Sequence, residues 1–117
     1  MASTASEELR IQYQGHGATA SDIWGMTQAN FLVHFPGAAS KEVAVMVNDA
    51  AAGFLAARYA QENTLDFRQS LARVVGRLWI EGYHRQFGHA GSVLTISRAT
   101  FDEQPGLLAA VDGAVGR

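Results

Sequence analysis

A chain of 117 residues with 48% hydrophobic and 17% charged side chains has the length and apolar content of one folded domain, which excludes an intrinsically disordered protein. Nine basic and eleven acidic residues leave a net charge of −2, so no whole-molecule field favours a phosphate backbone or an anionic membrane, and neither nucleic acid nor a membrane is expected as a partner. The lack of cysteine removes disulfides, thiolate metal sites and cysteine nucleophiles together.

Residues 1–7 are polar and carry neither the basic nor the apolar region of a secretory leader, so a disordered start to a single domain over 8–117, in the cytoplasm, is the expectation. No apolar run approaches the roughly 18 residues of a membrane span. Arginine outnumbers lysine eight to one, with Lys41 alone, a composition that suggests a GC-rich bacterial genome.

Leu9, Ile11 and Tyr13 alternate with polar neighbours, predicting a half-buried strand over 8–14. Gly15-His16-Gly17 ends it, and conflicting signals leave 15–27 unassigned, because Ser21 or Asp22 could cap a short helix where a strand fits as well. A second strand over 28–35 puts Ala29, Phe31, Val33 and Phe35 on one face and Asn30, Leu32 and His34 on the other, before a Pro36-Gly37 turn. Ser40 is then placed to cap a helix over 40–61 lined by Val43, Met46, Val47, Ala50, Phe54 and Ala57. Val43, Val45 and Val47 also fit a strand over 42–48, which would delay that helix to Asn48 or Asp49.

Asp66 is placed to cap a longer helix over 66–86, whose Phe67, Leu71, Val74, Val75 and Leu78 repeat at i+3 and i+4. Ser92 to Phe101 is rich in β-branched residues and reads as a third strand over 92–101, and Pro105 opens a short helix over 104–111. The sum is an α+β domain: an antiparallel or mixed sheet packed against a helical pair, with a short C-terminal helix.

Few residues point to chemistry. Glu81 and His84 form an E-x-x-H, but a di-metal bundle needs two such motifs and further carboxylates, so no metal is expected, and Glu81 is read as pairing with Arg77 and Arg85. His34 is the one weak catalytic candidate, as a general base held still by a strand, with Asp22 or Tyr13 as conceivable partners. No cofactor is implied.

The long helix has a second apolar stripe. Gly76, Trp79, Ile80, Tyr83 and Phe87 lie roughly 100–200° around the helix axis from the core stripe, and one surface does not bury both. Either the helix is sandwiched within its own domain, or Trp79, Ile80, Tyr83 and Phe87 meet a second copy or line a ligand pocket. The reading that needs the fewest special residues is a non-enzymatic binding domain, a homo-oligomer and most simply a dimer, holding a small apolar ligand. The alternative is a cofactor-free small-molecule enzyme using His34.

Overall fold

The computed structural model describes residues 9–16 and 25–115. The elements run β1 (Arg10–Gly15), β2 (Met26–His34), β3 (Lys41–Asn48), α1 (Asp49–Arg58), α2 (Leu65–Phe87), β4 (Val93–Ile96), α3 (Arg98–Glu103) and α4 (Pro105–Ala114). The four strands form one sheet in sequence order, with β1, β2 and β3 an antiparallel meander and β4 added parallel to β3. This is the expected α+β class, with a mixed sheet. The expected disordered segment 1–7 lies outside the described residues, as does most of 15–27, although the last part of that stretch already belongs to β2.

Period-two alternation sorts the sheet. Thr27, Ala29, Phe31 and Val33 of β2, Val43, Val45 and Val47 of β3 and Leu94 and Ile96 of β4 are buried and paired in register on the face that meets the helices. Asn30, Leu32, His34, Ala44 and Met46 occupy the other face. α2 packs across β2 and β3 and against α4, while α1 packs on β3 and α3. Helices α1 and α2 thus each take one of the two C-terminal helices as a neighbour.

Three boundaries correct the sequence reading. Residues 41–48 are strand rather than the start of a helix over 40–61, because the alternating valines bury one face of a central strand that is hydrogen-bonded on both edges. Helix α1 accordingly starts at Asp49, capped by Asn48, whose side chain accepts from the Ala50 amide at 2.8 Å. The strand expected over 92–101 stops at Ile96. There the Ser97 amide donates to the Thr100 hydroxyl at 3.0 Å, one arm of a capping box, and the chain turns into α3. Thr64 rather than Asp66 caps α2, accepting from the Phe67 amide at 3.1 Å, and Gly88 closes it at φ 80°, a left-handed conformation that costs glycine nothing.

The two apolar stripes of α2 have a common explanation. Gly76 and Ile80 face the sheet, with Ile80 fully buried, while Leu71, Val74 and Leu78 turn toward α4. A helix with two neighbours has an apolar arc wider than a surface helix. The arginines find partners on β1: the Arg73 guanidinium lies 4.5 Å over the Tyr13 ring, and Arg77 reaches the Ile11 carbonyl at 3.5 Å. Among the described residues Glu81 makes no ion pair with Arg77 or Arg85, contrary to expectation.

One core group is out of place. Thr27 is buried, and its hydroxyl has no hydrogen-bond partner among the described residues. Thr27→Val keeps the shape and removes the desolvated hydroxyl, so it should raise stability by about 1 kcal/mol, read as a higher denaturant midpoint at unchanged slope. A lower midpoint would mean that the hydroxyl is satisfied.

Candidate functional site

A mainly apolar recess lies where the ends of α1 and α4 meet the first turns of α2. Helix α1 closes with Ala60 at φ 55°, the Ala60 amide donating to the Ala57 carbonyl at 3.3 Å and the Gln61 amide to the Ala56 carbonyl at 2.9 Å. That is a Schellman closure with alanine where glycine is usual, at a cost of about 1 kcal/mol. The reversal sets Tyr59 and Gln61 against the first turns of α2.

Asp112 of α4 ties the third wall in place. Its carboxylate accepts from Arg58 Nε at 2.9 Å, from Arg58 Nη2 and from the Tyr59 hydroxyl at 2.7 Å. The bidentate geometry is the strong form of such a pair. Burial pushes the Tyr59 hydroxyl up to about 12, and its hydrogen bond to Asp112 acts in the same direction. The hydrogen bond to Asp112 also holds the Arg58 guanidinium more firmly in its charged form.

Between these walls lies a groove of about 370 Å³ lined by Tyr59, Gln61, Phe67, Ser70, Leu71, Val74 and Val115. Five of the seven are apolar or aromatic, and Gln61 and Ser70 supply a few polar atoms, the usual make-up of a small-molecule site. Among the described residues no charged one lines it. It continues into a shallower recess that shares Gln61, Phe67 and Ser70 and adds Ala60, Glu62, Thr64 and Asp66.

A second recess of about 320 Å³ lies beside Trp79, between α2 and the start of α4, and its wall includes the charged Glu81 and Arg85 together with Gln86 and Gln104.

The expected interface residues divide. Ile80 is inside the core and does not reach a surface. Trp79 and Tyr83 are half-buried, and Phe87 is 52% exposed. Tyr83 links them, its ring 5.7 Å from Trp79, 4.6 Å from Phe87 and 5.5 Å from His89. An aromatic cluster therefore caps the C-terminal end of α2.

His34 is held at both nitrogens, with Nδ1 2.6 Å from the Ser40 hydroxyl and Nε2 3.3 Å from Gln12 Oε1. Ser40, expected as a helix cap, instead braces the β2–β3 hairpin through this contact. Tyr13 bonds His16 Nε2 at 2.6 Å rather than His34, and Asp22 lies outside the described residues. His34 lines none of the recesses described above. Among the described residues no three histidines or carboxylates gather as metal ligands, and His84 lies 5.8 Å from the Phe35 ring. No helix among them is long and apolar enough to cross a membrane.

The chain matches no protein-family model, no curated protein and no solved structure. The site therefore rests on its own geometry. Sequence reasoning placed Phe67, Leu71 and Val74 on one helical face but missed the groove, because Tyr59 and Asp112 are brought together across most of the second half of the chain. Tyr59 directly after Arg58 at a helix end was the available local signal, and it names no partner.

Proposed function

We propose that this domain is a non-enzymatic binding module that holds a small, mainly apolar ligand in the groove between α1, α2 and α4, and that it self-associates through the aromatic end of α2. The observation that carries the ligand reading is the groove itself: its volume falls in the range of small-molecule sites, its wall is apolar on five residues, and Tyr59 is fixed in place by Asp112. A preorganised wall lowers the ordering cost of binding. The aromatic end of α2 supports self-association, since Phe87 leaves about half of its surface in solvent beside Tyr83. The His34 enzyme reading is less well supported, because a general base needs a concave place for its substrate.

The test is titration with N-phenyl-1-naphthylamine, a neutral apolar fluorophore. Saturable binding with one site per chain is expected. Ser70→Trp, a change on the exposed rim, should weaken it by about tenfold or more by filling the groove, and should leave the denaturant midpoint within about 0.5 kcal/mol of wild type. Failure of the wild type to saturate, or equal binding by Ser70→Trp, would discard the groove as the site.

A further inference from the structure

We infer that the ligand of this groove is an amphipathic organic cation, with an apolar body among Phe67, Leu71, Val74 and Val115 and an amine head at the outer recess beside Glu62 and Asp66. This rests on the groove reading above and adds the ligand's charge and orientation to it.

Two separate observations meet here. The first is the concavity, whose inner part holds no charged residue and accepts an apolar body. The second is the sign of the mouth: among the described residues that line either recess the charged ones are Glu62 and Asp66, and both are acidic. A ligand that fills the inner groove has its outer end beside these two carboxylates.

Among the described residues the neighbouring cations, Arg58 and Arg68, are engaged elsewhere. Arg58 is committed to Asp112. Arg68 is turned back on the loop, its Nη1 donating to the Asn63 carbonyl at 3.0 Å and to the Asn63 side-chain oxygen at 3.3 Å. Among the described residues neither Glu62 nor Asp66 makes an ion pair. A positive feature among the described residues is the N-terminus of α2, which favours anions. It is partly answered locally, since the Phe67 amide donates to the Thr64 hydroxyl and the Thr64 amide to the Glu62 carbonyl, with Asp66 in the first turn. A carboxylate-bearing ligand would meet repulsion at the mouth, and a neutral one would leave both carboxylates without a counter-charge.

Matched probes with one apolar body separate the ligand class from the groove reading: 4-phenylbutylamine, 4-phenylbutan-1-ol and 4-phenylbutanoate, titrated by ligand-observed NMR at low and high salt. The amine should bind about tenfold tighter than the alcohol, and the alcohol tighter than the carboxylate. The amine's advantage should shrink in high salt, because exposed charges are screened. Glu62→Gln combined with Asp66→Asn, both at exposed positions, should bring the amine down to the affinity of the alcohol. Equal affinities for all three probes, or a preference for the carboxylate, would overturn the cationic ligand while leaving the groove a binding site. An amine preference that survives the double substitution would overturn it as well. Failure of all three to bind at millimolar concentration, or binding indifferent to Ser70→Trp, would overturn the groove reading and this inference together.

Discussion

Ile80→Asp should leave the chain largely unfolded. Ile80 has no exposed surface and packs in the continuous core between α2 and the sheet. The substitution removes a buried aliphatic side chain, worth about 2–5 kcal/mol, and sets an unpaired carboxylate there at a further cost of several kcal/mol. A domain of this size has about 5–15 kcal/mol in total, so most of it is lost. Far-UV circular dichroism and the denaturant midpoint read this directly, and a folded Ile80→Asp with a near-native midpoint would remove Ile80 from the core. Phe87→Asp is the informative contrast, because Phe87 is 52% exposed. Its stability should stay within about 0.5 kcal/mol of wild type. Light scattering over a concentration series should then show an oligomer for wild type and a monomer for Phe87→Asp. A wild type that remains monomeric at the highest concentration, or an oligomer indifferent to Phe87→Asp, would reject self-association through this end of α2.

Gly76→Ala should destabilise the fold even though it improves helix propensity. Alanine in a helix interior is favoured over glycine by about 1 kcal/mol. Against that, a Cβ at residue 76 would lie 2.7 Å from Phe31 Cε1, 2.9 Å from Phe31 Cζ and 3.2 Å from Val45 Cβ. Phe31 is buried in the middle of the sheet and paired with Tyr13 and Val43, so its ring has little freedom to retreat. Overpacking of this kind costs about 1–3 kcal/mol, and the displaced ring puts this site at the upper end. A net loss of about 1–2 kcal/mol is expected for alanine and about 3 kcal/mol or more for valine. In a Phe31→Leu background the alanine should be better tolerated, a coupling of about 1 kcal/mol in a double-mutant cycle. An additive cycle would mean that Phe31 does not set the approach of α2 to the sheet.

The fold was legible wherever one periodicity stood alone. Ala29, Phe31 and Val33 announce β2, and Leu71, Val75 and Leu78 announce α2, because neither set fits the rival spacing. Residues 41–48 fit both. Val43, Val45 and Val47 alternate, while Val43, Met46, Val47 and Ala50 also satisfy helical spacing, and local sequence does not register that β2 and β4 flank this segment on both sides. Ser97 lay inside a β-branched run, so its turn into α3 was hidden. The two stripes of α2 were visible, but their common cause depended on where α4 packs. For the same reason the groove escaped notice: it is made by the meeting of three helix ends, held by a tie between Arg58 and Asp112.

The parallel placement of β4 sets an order on assembly. In the meander β2 and β3 are joined by six residues, so these two strands are able to pair as soon as they leave the ribosome. Their apolar face, with Phe31, Val43 and Val45, then waits for α2, which is synthesised later. β4 waits longer still, because a strand parallel to β3 joins only after both intervening helices have crossed over. Until then β3 presents a free edge rich in β-branched residues, the kind that pairs with other chains. The nascent chain is therefore most exposed to aggregation between the completion of Asn48 and the arrival of Ile96, and a chaperone that holds apolar strands would act in that interval.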